Sequence, residues 1–231
     1  MNKRSINQNP LPWNRQNENV IKIAALNCMN LSNNLVDIIN DQTLMQSKII
    51  AFSETWLDEK TNVHIDGYKE YFNSVGPGKG IAIYTKDDSF QLTSNIKKEK
   101  IQLSKLESKD LEIIIVYRSE QGNTAELLQY IKDNIKEDTT TVIAGDFNIC
   151  FNTQRYNRIS KFLEKNGFIQ LVTEATHIKG RHIDHFYFKQ GRKIGNDPSI
   201  LRYSPYYSDH DAICVTLSIS DHEPQPLSDK K

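Results

Sequence analysis

Short apolar runs punctuate the chain from residue 20 onward. Runs at 20–26, 49–52, 68–72, 80–84, 111–117, 141–144, 183–188 and 212–218 are rich in Ile, Val and Tyr. Several alternate with polar residues or run continuously apolar, as strands do. Three stretches repeat at helical period instead. Residues 34–45 place Leu35, Ile38, Ile39 and Leu44 on one inward face. Thr124 reads as an N-cap, followed by an apolar stripe of Leu127, Leu128, Ile131 and Ile135. Residues 157–165 carry Ile159, Phe162 and Leu163, and Gly167 stands where a helix would stop. Many strands with a few interspersed helices predict an α/β protein of two packed sheets covered by helices.

The span 20–220 holds no repeat and no linker, and reads as one domain. Residues 1–19, polar and Asn-rich with Pro10 and Pro12, read as a flexible arm, and 221–231 as a flexible tail. At 231 residues, 38% hydrophobic and 25% charged, the chain is long and apolar enough to bury a core. No apolar run approaches the ~18 residues that span a bilayer, so no membrane partner is expected. The first residues lack the apolar stretch of a secretory signal, which points to an intracellular protein, with the nucleus as a candidate compartment. Cys28, Cys150 and Cys214 are too scattered for a disulfide framework and read as buried thiols in a reducing interior.

Charge changes the picture only locally. The 29 basic and 29 acidic residues cancel, against a general electrostatic binder of nucleic acid. Yet Lys179, Arg181, Lys189, Arg192 and Lys193 crowd together with Asp184 alone opposing them. A basic face within a neutral protein is therefore expected.

The candidate chemistry sits where strands end. Asn27 closes the first apolar run and Glu54 follows the second, in IIAFSETWL. Asp146 and Asn148 follow TVIAG, Asp184 lies inside HIDHFYF, and Asp209 and His210 precede the last run in YSDHDAICV. Carboxylates next to buried strands are costly unless paired or coordinating a cation. Their repetition suggests one shared site whose oxygens hold a hard ion such as Mg²⁺.

GDFN at 145–148, SDH at 208–210, ETWL at 54–57, IDH at 183–185 and the Tyr117-Arg118 pair, in this order, resemble the endonuclease/exonuclease/phosphatase superfamily. The forms are most similar to endonuclease domains of non-LTR retrotransposons and related mobile elements. The resemblance covers about residues 20–219 and implies a four-layer α/β/β/α sandwich, two mainly antiparallel sheets flanked by helices. It implies that Glu54 binds the metal, that Asn27 helps set that site and that Asp209 lies near it. It makes His210 the catalytic histidine and Asp184 the carboxylate that orients it. Asp146 and Asn148 would orient the attacking water and stabilise the developing charge, and the Tyr117 hydroxyl would approach the scissile phosphate. The implied cofactor is Mg²⁺, with Mn²⁺ able to substitute, and the implied partner is double-stranded DNA. Lys179, Arg181, Arg192 and Lys193 are the candidate DNA contacts, because they bracket Asp184.

Three departures sharpen the expectation. Met29 stands where abasic-site endonucleases carry a second metal-binding aspartate, which weakens a second metal site. Arg181 stands where those enzymes present tryptophan, which disfavours abasic repair. The segment 176–181 is short for a DNA-inserting hairpin, which argues against strong sequence specificity. The leading function is metal-dependent nicking of DNA, in a mobile element or a virus. Two alternatives stay open: a phosphoesterase of the same fold acting on other phosphate esters, and a degenerate module that binds DNA or a protein. His64, His177, His182, His185 and His222 read as surface or structural, with no zinc ligand set among them.

Overall fold

A computed structural model describes residues 20–151, 153–191 and 197–218. The proposed arm and tail, His222, and the candidate DNA contacts Arg192 and Lys193 lie outside the described residues. The strands are β1 (Val20–Asn27), β2 (Ile49–Ser53), β3 (Lys69–Asn73), β4 (Ile81–Thr85), β5 (Gln91–Lys97), β6 (Ile101–Glu107), β7 (Leu111–Arg118), β8 (Thr140–Asp146), β9 (Ile169–Gln170), β10 (Asp184–Lys189), β11 (Ser199–Tyr203) and β12 (Ala212–Ser218). The helices are α1 (Leu35–Asn40), α2 (Gln42–Met45), α3 (Thr124–Asn134) and α4 (Gln154–Lys165).

Two six-stranded sheets form, in the orders β11-β12-β1-β2-β4-β3 and β5-β6-β7-β8-β10-β9. Each is antiparallel except at one central pair, β1 with β2 and β7 with β8. Those central strands read as continuous apolar runs because both of their faces are covered. In β1, Ile21, Ile23 and Ala25 face the other sheet, while Ala24 and Leu26 pack with Ile38 of α1 and Leu44 of α2. In β7, Leu111, Ile113, Ile115 and Tyr117 point between the sheets, and Ile114 and Val116 meet Leu127 of α3 and Ile159 of α4. The result is the four-layer sandwich. No helix among the described residues is long and apolar enough to cross a membrane.

Local departures from the sequence reading have physical causes. The helix expected over 34–45 is two short ones, because the Asp41 side chain accepts from Leu44 N and restarts the helix. The break leaves Ile39 47% exposed rather than inward. Asn123, not Thr124, caps α3: its side chain accepts from the Ala125 and Glu126 amides. Helix α4 starts earlier than expected, capped by Thr153. Cys28 and Cys214 are buried as expected, but Cys150 is exposed, being just past the strand in the loop before α4.

Candidate active site

The parallel pairing of β1 and β2 continues beyond the strands and builds one wall of the site. Cys28 N donates to Ser53 O, Asn30 N to Glu54 O and Leu31 N to Thr55 O. To keep this pairing the chain adopts left-handed backbone at Met29, Asn30, Glu54 and Trp56. Asn148 is the other non-glycine residue with positive φ among those described, so all of this strain borders one end of the sandwich. Gly145 has φ +131, and a Cβ there would lie 2.0 Å from Val116 O. Only glycine lets β8 press this closely on β7 just before Asp146.

Asp146 is the hub. Its carboxylate accepts from Asn148 N at 2.8 Å, Asn148 Nδ2 at 3.1 Å and Asn27 Nδ2 at 3.0 Å. Asn27 thus comes from one sheet to fix a carboxylate on the other. Antiparallel register places Asp184 directly opposite Asp146. Asp184 Oδ2 accepts from Thr176 Oγ1 at 2.6 Å and faces His210 Nδ1 at 2.8 Å. Ser208 Oγ donates to Asn27 O and accepts from His210 N, tying the histidine to the end of β1. Ligand atoms of Asp146, Asp184 and His210 all lie within 4.8 Å of one another. Between the sheets behind them is a cavity of about 10 Å³, room for a water at most.

Electrostatics follow from this geometry. Burial, and then the charge of Asp184, raises the Asp146 carboxyl above the usual range, although His210 and the Asn148 N–H pull it back. Burial works against a charged His210, but the hydrogen bond and charge of Asp184 outweigh it and lift the imidazole to about 9. His210 is then an imidazolium at neutral pH. Burial, with the charges of Glu54 and Asp146, pushes the Tyr117 phenol up, so it stays a donor. Its proton goes to Gly78 O at 2.9 Å, and Glu54 Oε1 lies 3.4 Å away.

Asp209 is half-buried and faces two rings: His177 Nε2 at 3.3 Å and His210 Nε2 at 3.7 Å. His177 was not expected here. It pairs with His210 in an isolated β-bridge, and the two rings sit 4.7 Å apart. Neither sequence spacing nor periodicity could announce this, because the contact joins two loops. Thr176 was missed for the same reason. Arg118, seen only as part of a motif, is fully buried; it donates to Glu120, Gly122, Phe147 and Asn148 carbonyls and so supports the loop under Asn148. His182 and His185 are buried and structural as expected, and burial drops His185 to about 4.

The basic stretch divides. Arg181 contacts Glu120 at 2.9 Å and His177 at 3.1 Å beside the site. Lys189 stands at the other end of β10, opposite Thr141, where its amine bonds to the Lys136 and Glu137 carbonyls. Five residue-to-residue steps along this six-residue strand put its two ends ~17 Å apart. Among the described residues, Arg181 and Lys189 therefore do not share one surface along the site.

Among the described residues no lysine or arginine pairs with Glu54, Asp146, Asp184 or Asp209; their cationic neighbours are histidines. A set of carboxylates with no direct cationic partner beyond these histidines, and with amide oxygens beside it, suits a hard divalent ion. The sequence matches the endonuclease/exonuclease/phosphatase family over residues 6–222. This chain belongs to that family. Members of the endonuclease/exonuclease/phosphatase family are typically metal-dependent hydrolases, and the carboxylate set fits that description. The fold is similar to the endonuclease domain of TRAS1, a telomere-specific non-LTR retrotransposon, at 13% identity and TM-score 0.65, covering 87% of this chain and 99% of that one. It is similar to an AP endonuclease from Archaeoglobus fulgidus at 17% identity and TM-score 0.66, covering 87% and 100%. A third likeness is to the 3′ phosphatase NExo from Neisseria bound to a product DNA hairpin, at 18% identity and TM-score 0.64, covering 87% and 99%. At such identities the likeness is one of fold. No curated protein matches by sequence.

Proposed function

We propose that this protein is a divalent-metal-dependent endonuclease that nicks double-stranded DNA inside the cell, as the enzyme of a mobile element or a virus. The observation that carries this reading is the buried set Asp146–Asp184–His210, with Glu54 facing it and, among the described residues, no lysine or arginine in direct ion-pair contact with it. Glu54 and Asp209 are assigned to the metal, and Asn27 shapes that site by holding Asp146. Mg²⁺ is the assigned ion, with Mn²⁺ able to replace it. Bound there, such a cation offsets negative charge on a phosphoryl oxygen.

The side chains supply the rest. Asn148 spends both amide protons on Arg118 O and Asp146, which leaves Oδ1 to accept from a water. Asp146, its carboxyl raised by burial, takes the proton as that water attacks phosphorus in line. The bond from phosphorus to the leaving sugar oxygen breaks as the new one forms. His210, held charged by Asp184, donates to a phosphoryl oxygen and counters the growing charge. Tyr117 closes the far wall beside Glu54. Lys179 and Arg181 are assigned to the DNA backbone near the cut.

DNA is favoured over other phosphate esters by ETWL and Tyr117-Arg118, by the TRAS1 neighbour being an endonuclease domain and by the NExo neighbour holding DNA. That preference for DNA comes from likeness of motif and fold. Relaxation of supercoiled plasmid with Mg²⁺, with and without chelator, tests it. Nicked circles that appear only with metal would support the proposal. Hydrolysis of a phosphomonoester without nicking would favour the phosphatase alternative, and inactivity towards both the binding module.

A further inference from the structure

Beside Asn148, a groove of about 830 Å³ opens that none of the assigned residues uses. One wall is the loop Gln121, Gly122 and Asn123 at the head of α3; the other is the face of α4 bearing Arg155, Arg158 and Lys161. These three recur every third residue and are exposed, while Tyr156, Ile159 and Leu163 anchor the opposite face of α4. The groove adjoins the proposed site physically: Arg118 binds the carbonyls of Glu120 and Gly122 on the groove side and of Phe147 and Asn148 on the site side.

Nearby acids are already engaged. Glu120 pairs with Arg181, Glu126 with the Tyr130 hydroxyl and Glu164 with Ser160. Among the described residues no acid pairs with Arg155, Arg158 or Lys161. The positive character belongs to these side chains and not to the head of α3, whose first amides Asn123 already caps. Three cations along one wall repel each other unless an extended anion lies between them. From Arg155 to Lys161 the helix rises ~9 Å. Over that distance one DNA strand presents two or three phosphates, at ~3.4 Å each along the axis.

We propose that this groove holds the phosphate backbone of the DNA flanking the scissile bond, with Arg155, Arg158 and Lys161 as its contacts. The inference rests on the DNA-cutting reading. A free phosphate would meet only one or two of these cations, whereas a strand meets all three. Such contacts position the duplex and read little of its sequence.

The test is binding of a labelled duplex by the full chain in EDTA, followed by anisotropy across a salt series. Arg155→Ala, Arg158→Ala and Lys161→Ala together should weaken binding at least ~10-fold and flatten the salt slope by about 2 to 3. Arg155→Lys with Arg158→Lys should keep the slope. Lys69→Ala, Lys86→Ala and Lys109→Ala, which remove the same charge elsewhere, should leave affinity and slope as they were. Unchanged binding by the groove variant, equal weakening by the control, or a wild-type chain that does not bind duplex would each overturn the proposal. Hydrolysis of bis(4-nitrophenyl) phosphate by the wild-type chain with Mg²⁺ tests the catalytic reading separately. A chain that binds duplex through the groove yet hydrolyses nothing upholds the groove and sinks the endonuclease.

Discussion

Both ends of the sandwich bury carboxylates, and only one of them supplies the cations to balance them. At the end where β7 begins, Glu112 is fully buried, with Lys105 Nζ at 2.7 Å, Lys136 Nζ at 3.3 Å and the Thr141 hydroxyl at 3.3 Å. Glu107 completes the network by pairing with both lysines. At the end where β7 finishes, Asp146 is equally buried, yet its neighbours are Asp184, Glu54, amides and one histidine, and the nearby Arg118 guanidinium is spent on backbone carbonyls instead of pairing with it. Burial is the same and compensation differs. A buried carboxylate with its own lysines is part of the scaffold; one without them is held ready for a charge from outside.

The largest effects should come from breaking each end in turn. Glu54→Ala and His210→Ala should each lower nicking by ~10²-fold or more, since both act within a unit whose losses are severe and non-additive. Their unfolding should remain cooperative. Near-normal nicking by either folded variant would remove the assignment. Glu112→Ala should do the reverse: it leaves buried Lys105 with only the longer contact to Glu107 at 3.5 Å and costs up to ~3–5 kcal/mol of stability. Nicking per folded molecule should hold. If urea unfolding of Glu112→Ala matched wild type, the two ends would not differ in the way described.

The uncompensated end should also respond to metal and pH. His210 is lifted from 6.5 to about 9. A raised folded-state pKa contributes stability that is complete below the unfolded value and lost as pH climbs through the folded one. Asp146, raised as well, acts with the same sign from the ordinary carboxylate range upward. In EDTA, Tm should therefore fall between about pH 6.5 and 9, with His210 accounting for at most ~3 kcal/mol. Mg²⁺ at 100 times its Kd should restore ~2.7 kcal/mol, or ~5–10 °C in Tm, and more at high pH, where protons compete less. A Tm indifferent to both pH and Mg²⁺ would place this end on the same footing as the other.

Sequence reading reached the central strands because they are apolar on both faces, and it reached the site because its carboxylates follow those strands. It missed the β5–β6 hairpin, whose buried positions include Gln102 and Ser104 on one face of β6 and Lys105 on the other and so break the apolar pattern. It missed β11, an edge strand with Ile200 and Leu201 exposed. Glu112 and Lys105, polar residues within strands, gave no sign of the network that joins them. Within the site, the residues on strand ends were legible, whereas His177 and Thr176 depend on loops that meet only in three dimensions. Lys189 parts from Arg181 for a related reason: nearness in sequence along β10 is distance in space, since a strand carries its two ends apart.

The smallest expected effect belongs to Arg181 and Lys179. Arg181 lies by the site but is already paired with exposed Glu120, and exposed pairs contribute ~0–1 kcal/mol. Arg181→Ala should thus change unfolding by less than ~1 kcal/mol. As a DNA contact it must first give up Glu120, which offsets part of what a phosphate returns. Lys179, beside the loop glycine Gly180, is exposed and has no such tie. Lys179→Ala with Arg181→Ala should therefore flatten the salt slope of duplex binding by about 1 to 2, less than the three cations of α4. Cleavage of intact and abasic duplex should fall together, since Arg181 offers no aromatic face to a lesion. A slope change as large as that of the α4 variant would move the DNA path to this side of the site. No change at all would leave Arg181 a brace between His177 and Glu120.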